Sequence, residues 1–148
     1  MKVTVRVDGL SDLDKALGEL KASTAKGVLR RVGKMGLGPF DQAWRDKAPH
    51  LSGALERSGS VGSKLTRTQR QANEREAFVE VFAGPGALPQ AIAQEFGTST
   101  QPPQAFARPA WDETKGRALE IVKDELGGEI QRTAARAAAR AAKAAAKG

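Results

Sequence analysis

Residues 94–111 read Gln-Glu-Phe-Gly-Thr-Ser-Thr-Gln-Pro-Pro-Gln-Ala-Phe-Ala-Arg-Pro-Ala-Trp. Glu95-Phe96-Gly97-Thr98 closes one element, and Pro102 and Pro103 hold an extended crossing, since proline fixes φ and removes a backbone donor. Phe106, Arg108, Pro109, Ala110 and Trp111 then open a long helix. Such a stretch is a docking elbow, in which backbone shape and large apolar anchors count for more than acid–base groups. Phe96 and Phe106 are expected mainly inside. Trp111 suits either the core or a subunit interface, where Trp is a frequent anchor. Arg108 should be held by a carboxylate or by helix-end carbonyls, with Glu95 as the partner in reach.

Upstream, Val3, Val5 and Val7 alternate with Lys2, Thr4 and Arg6, the pattern of a half-buried strand over 2–7. Asp8-Gly9 is a turn, and Ser11 caps a short helix with Leu13, Leu17 and Leu20 as its stripe. A helix is expected over 23–47, apolar at Val28, Leu29, Val32, Met35, Phe40, Ala43 and Trp44. A kink or break is expected at 36–39, where Pro39 clashes with the preceding turn. Ala48-Pro49 ends it. Residues 51–56 read as a single turn capped by Ser52, and 57–65 as a weak strand. Residues 66–76 carry no large apolar side chain and are expected to form the mobile tip of a hairpin. Residues 77–83 read as the clearest strand, followed by a Gly84-Pro85-Gly86 turn. Residues 88–96 form a short helix or arm. From 108 to 147 the pattern is helical, with a weak point at Gly127-Gly128, because each glycine costs about 1 kcal/mol against alanine in a helix.

At 148 residues the chain has room for one domain with one modest core. Aromatics are 5% and cysteine is absent, which excludes disulfides and thiolate metal sites. One histidine makes a structural zinc site a poor expectation. No apolar run nears the ~18 residues of a membrane span, and the first residues lack the apolar stretch of a signal peptide. The chain is therefore expected to fold in a cytoplasm. Its net charge of +7, from 24 basic and 17 acidic residues, permits contact with nucleic acid or acidic protein surfaces without choosing between them.

A second block, Ala48-Pro49-His50-Leu51-Ser52-Gly53-Ala54-Leu55-Glu56-Arg57-Ser58, joins the elbow in a familiar order. A strand, a basic helix, an Ala-Pro…Ser-Gly segment, a strand pair, Glu-Phe-Gly-Thr, Phe-x-Arg-Pro-Ala and a C-terminal helix succeed one another. Over about residues 1–130 this order resembles the head–tail joining, or tail-completion, neck proteins of long-tailed bacteriophages, the HK-ninety-seven gene-product-ten-like family. The resemblance implies a structural virion protein that joins the head connector to the tail or completes the tail end. It implies assembly in the host cytoplasm and a place at the virion neck or tail end. It implies a ring of identical subunits around the DNA path, six by analogy with tail symmetry, with twelve as the portal-adaptor alternative. The other partners it implies are a head-closure or adaptor protein, a tail terminator or tail tube protein, and genomic DNA in the lumen.

A search for catalysis finds no Ser-His-Asp set. His50 beside Pro49 reads as a loop residue, and the acid pairs Asp12/Asp14, Glu74/Glu76 and Glu113/Glu120 read as solvated faces. The Gly-rich stretches lack the Lys-Ser/Thr ending of a phosphate loop. The chain is read as not an enzyme, with no cofactor and no metal. The candidate subunit or partner interface comprises Arg67, Arg70 and Arg75 on the 66–76 tip, with Phe96, Thr98, Pro102, Pro103, Phe106, Arg108 and Trp111 on the elbow. Arg132, Arg136, Arg140, Lys143 and Lys147 recur at steps of four, four, three and four, one edge of a helix. They are candidate contacts to DNA or to an acidic partner, against the plainer reading of a solvated helix end. The alternative function is thus a basic nucleic-acid-binding protein.

The expected architecture is α+β. A small, mostly antiparallel sheet packs against a long kinked helix, with a long Ala-rich C-terminal helix alongside. Residues 1–128 form one connector domain, and 129–148 a basic helical extension.

Overall fold

The computed structural model describes all residues except 1–10, 51–52, 76 and 87. The expected strand over 2–7 with its Asp8-Gly9 turn, the Ser52 cap and Glu76 lie outside the described residues. In chain order the elements are α1 (Ser11–Gly18), α2 (Ala22–Gly36), α3 (Gly38–Lys47), α4 (Ala54–Ser58), β1 (Ser60–Gly62), α5 (Arg67–Ala72), β2 (Phe82–Gly84), α6 (Pro89–Phe96) and α7 (Ala107–Ala146). The fold is α+β. β1 and β2 pair antiparallel with Ser60 opposite Gly84, Val61 opposite Ala83 and Gly62 opposite Phe82. This ribbon rests on α3, while α7 lies along α2 and α3.

The break in the long helix falls at Leu37, between α2 and α3. Pro39 sits in the first turn of α3, where its missing N–H has no carbonyl to serve. α3 then stops at Ala48, whose backbone is extended before Pro49. At the end of α2, a Cβ on Gly36 would stand 2.6 Å from Val122 Cγ2 and 3.1 Å from the Ala118 carbonyl oxygen. Only glycine lets α2 and α7 approach so closely.

Two apolar clusters hold the helices together. Val28 and Val32 of α2 meet Leu126 and Ile130 of α7, with Leu13, Leu17 and Leu20 closing over them. Phe40, Trp44, Ala48, Leu55, Ala91, Phe106 and Ala110 form the other. Trp44 is fully buried and lies 5.9 Å from the Phe106 ring. Its Nε1 donates to Asp41 Oδ1 at 3.1 Å, which satisfies the one polar atom of a buried indole. Arg45 donates to the same carboxylate at 3.0 Å and covers the Trp44 ring.

Three expectations need correction. The 57–65 strand shrinks to Ser60–Gly62, because Ala54–Ser58 is helical. The 77–83 strand shrinks to Phe82–Gly84. Ser63 is a bend, and the ladder among the described residues ends at the Gly62–Phe82 pair, with a cleft between 63–65 and Val79-Glu80. Val81 instead packs onto α2 at Gly33. The 66–76 segment is not a bare hairpin tip. Residues Arg67–Ala72 form a helix behind a capping box, with Gln69 N–H donating to Thr66 Oγ1 and Thr66 N–H donating to Gln69 Oε1. Two capping bonds satisfy donors that an isolated turn would leave open.

Gly127-Gly128 does not interrupt α7, which is continuous over 40 residues and about 60 Å at 1.5 Å per residue. Ile130 and Thr133, beyond the expected boundary at 128, are still buried. Residues 134–148 are all exposed.

Candidate functional site

The elbow is built around one carboxylate. Glu95, near the end of α6, is buried and reaches the first turn of α7. Its Oε2 accepts from the N–H groups of Phe106 at 2.8 Å and Ala107 at 2.9 Å. Its Oε1 accepts from Arg108 N–H at 3.1 Å and Arg108 Nε at 2.9 Å. A helix leaves four N–H groups without intrahelical partners at its start. Here three go to Glu95, and the fourth position is Pro109, which has no N–H to satisfy. Negative charge at a helix N-terminus is favoured further by the helix dipole. Burial alone would push the Glu95 carboxyl up; the N–H groups of Ala107 and Phe106, with Arg108, outweigh it and hold the group below its ordinary value.

The rest of Glu-Phe-Gly-Thr follows from that anchor. Gly97 takes φ +77°, and a Cβ there would stand 2.8 Å from the Pro103 nitrogen, so the chain turns here only with glycine. Thr98 Oγ1 accepts from Gln101 N–H at 3.1 Å and Thr100 N–H at 3.3 Å, and Thr98 N–H donates to the Gln101 carbonyl at 2.8 Å. Gln104 N–H donates to the Gln94 carbonyl at 2.7 Å. Pro102 and Pro103 are exposed between these fastenings.

With Glu95 turned inward, the large apolar side chains of α6 turn outward. Ile92 is 67% exposed and Phe96 65% exposed, which corrects the expectation that Phe96 is mainly inside. Phe106 is 1% exposed; it belongs to the core, and its candidacy for an interface is corrected accordingly. Trp111 divides between the two roles. It meets Phe40 edge-on at 5.7 Å yet is 44% exposed. Arg108 has the expected partner, also donates to the Glu95 carbonyl at 2.9 Å, and spreads its guanidinium 5.2 Å from the Phe96 ring centroid. Ile92, Phe96 and Trp111 thus stand along an open groove of about 890 Å³, walled by Leu88, Pro89 and α5.

The groove's ionisable groups are occupied. Glu95 and Arg108 hold each other, and Asp112 pairs with Lys115 at 2.8 Å. Thr66 and Gln69 serve the α5 cap. What the groove offers a visitor is apolar surface and shape. Among the described residues, no set of three or more His, Cys, Asp or Glu side chains could hold a metal ion. No helix among them is long and apolar enough to cross a membrane.

The second motif block has structural roles as well. Leu55 enters the core. Ser58 Oγ donates to the Leu55 carbonyl at 2.7 Å and accepts from Gly86 N–H at 3.3 Å, tying α4 to the segment that follows β2. His50 contacts Glu56 at the surface.

Although α5 walls the elbow groove, Arg67, Arg70 and Arg75 do not line it. Arg70 Nη2 donates to the Leu65 carbonyl at 3.3 Å, and Arg75 donates to the Ala77 and Phe78 carbonyls at 3.1 and 2.8 Å. Arg67 is exposed. On α7 the basic edge divides. Arg132 pairs with Glu129 at 2.9 Å and Glu125 at 3.7 Å, so it is engaged at home. Arg31 from α2 meets the same Glu129 at 2.9 Å, and Arg31 with Arg132 holds the Glu129 carboxyl below its ordinary value. Arg136 Nε donates to the Arg132 carbonyl. Arg140, Lys143 and Lys147 have no ion-pair partner among the described residues, and the chain carries no acidic residue after Glu129.

Comparison of the chain with protein-family models, with curated proteins and with solved structures yields no match.

Proposed function

We propose that the chain is a structural component of a phage virion, forming a ring of identical subunits that joins the head connector to the tail or completes the tail end. The observation that carries this reading is the elbow shelf. Glu95, a charged residue, occupies the inward position, and Ile92, Phe96 and Trp111 are held outward beside an apolar groove whose charged groups are already paired. Exposed apolar patches of this kind mark surfaces that another protein covers. A rigid shelf on one side of a small domain suits the heterologous contact that closes a ring, and burying it against further copies adds stability that a thin core lacks. The order of motifs shared with the neck proteins points the same way, and six copies are favoured over twelve by that analogy alone.

Electron microscopy of virions, and of the purified chain mixed with connector and tail proteins, tests the reading. Rings of this chain between head and tail are expected. A chain that stays monomeric in the presence of those partners would contradict it.

A second reading is favoured by the free end of α7, where Arg136, Arg140, Lys143 and Lys147 project without a nearby carboxylate. That edge suits the phosphates of nucleic acid. It predicts salt-sensitive DNA binding that largely disappears when the chain ends at Thr133.

A further inference from the structure

A second cleft, of about 620 Å³, shares the α5 wall with the elbow groove and lies between α2, the 63–65 turn, α5 and the approach to β2. Arg30 from α2 and Lys64, Arg70 and Arg75 from the 64–75 stretch converge on it. The one carboxylate among its lining residues, Glu80, accepts from Asn73 Nδ2 at 3.2 Å. Arg70 and Arg75 are braced by the backbone carbonyls of Leu65, Ala77 and Phe78. Arg75 is held by two such bonds and Arg70 by one, which leaves further N–H groups of each for a ligand, since a guanidinium carries five. Arg30 and Lys64 make no side-chain hydrogen bond or ion pair with any described residue. The positive surface continues to Lys26, one helical turn before Arg30, whose Nζ stands 4.6 Å over the ring of Phe78. Phe78 itself is exposed.

Cations gathered around one concave surface repel one another, and folding alone supplies no reason to gather them there. We infer that this cleft binds the phosphodiester backbone of duplex DNA, with Arg30, Lys64, Arg70 and Arg75 as the contacting residues. Braced arginines suit phosphate oxygens, which accept bidentate guanidinium contacts. Arg30 and Lys64 add charge without positional demand, the usual division between fixed and mobile phosphate contacts. In a ring around a DNA path, this face would be the one turned to the lumen. The cleft's affinity does not depend on the ring, so the two ideas can fail separately.

The test uses the full chain and a fluorescently labelled duplex, with binding followed by anisotropy across a salt series. The variant Arg30→Glu/Lys64→Glu alters two exposed side chains with no described partner. Its melting should match the parent, which makes it a fair test of binding. It should bind at least about tenfold more weakly at low salt and lose about two from the slope of log affinity against log salt. Arg30→Lys should retain most of the binding. Neutralising Arg136, Arg140, Lys143 and Lys147 together should leave the cleft's contribution in place. Parent-like binding by the double variant would overturn the assignment, as would failure of the parent to bind duplex at low salt. Competition by poly-glutamate as effective as by duplex of equal charge would also overturn it, in favour of an acidic protein partner.

Discussion

The two halves of α7 belong to one unbroken helix and are held by different forces. From Ala107 to Thr133 the helix is fastened. Glu95 caps its start, Phe106 and Ala110 sit in one core cluster, and Leu126 and Ile130 sit in the other. From 134 onward every residue is exposed, and alanine's helix propensity is what sustains the coil. Packing of a face normally stabilises helices far more than propensity does. The first half is therefore part of the domain, and the second is a projection whose loss the domain should tolerate.

The largest expected effect lies where both core and helix start are at stake. Trp44→Ala or Phe106→Ala should cost about 3–5 kcal/mol, read as a lowered denaturant midpoint, because each ring is fully buried. Near-parent stability for Phe106→Ala would place that ring on the surface and undo the fastened half. Ending the chain at Gly128 should cost at least about 2 kcal/mol, since Ile130 is lost from its cluster; the same assay checks it.

Glu95→Gln should cost about 1–3 kcal/mol, because one of the two acceptor oxygens serving the first turn becomes an NH2 donor and leaves its buried N–H partners unsatisfied. The effect has a pH signature. The Glu95 carboxyl is held below its ordinary value, so its contribution is present above that value and disappears as pH falls through the lowered one. Melting measured from neutral pH into acid should therefore decline less steeply for Glu95→Gln than for the parent. Identical acid profiles would mean that the cap carries no charge-dependent stability. The smallest effect should come from ending the chain at Thr133, a change within about 0.5 kcal/mol, accompanied by a fall in helical circular dichroism. A large loss of stability there would erase the contrast between the halves.

Much of this arrangement is legible in the residues. Pro39 and the glycines before it announce the break at Leu37, Ala48-Pro49 the end of α3, and Arg108 its bond with Glu95. Phe106 reads as core and is core. Phe96 misleads because Leu88, Ile92 and Phe96 form an apolar row at helical spacing, which ordinarily turns inward. The open donors of α7 need a carboxylate, and bringing Glu95 to them turns Ile92 and Phe96 outward, while Leu88, just before the helix, packs against the core. Nothing local to α6 states this; it depends on where the next helix begins. The alternation at Val79 and Val81 misleads in another way. Apolar side chains can pack onto a helix, as Val81 does at Gly33, with no strand opposite them. In contrast, the α5 cap was readable in Thr66-Arg67-Thr68-Gln69, whose Thr-x-x-Gln spacing matches a capping box. The segment's lack of large apolar residues hides that signal. The basic cleft escapes the sequence because Arg30, Lys64 and Arg75 meet only through the tertiary fold.

On the proposed function, copies of the chain join at the shelf of Ile92, Phe96 and Trp111. Mass measurement in solution at moderate salt, for the parent and for Ile92→Asp/Phe96→Asp, tests it most directly. Both altered side chains are exposed, so the variant should melt like the parent. The parent is expected to form a closed multimer, alone or with connector and tail proteins present, and the variant to remain a monomer. A parent that never associates, or a variant that assembles as readily as the parent, would contradict the claim.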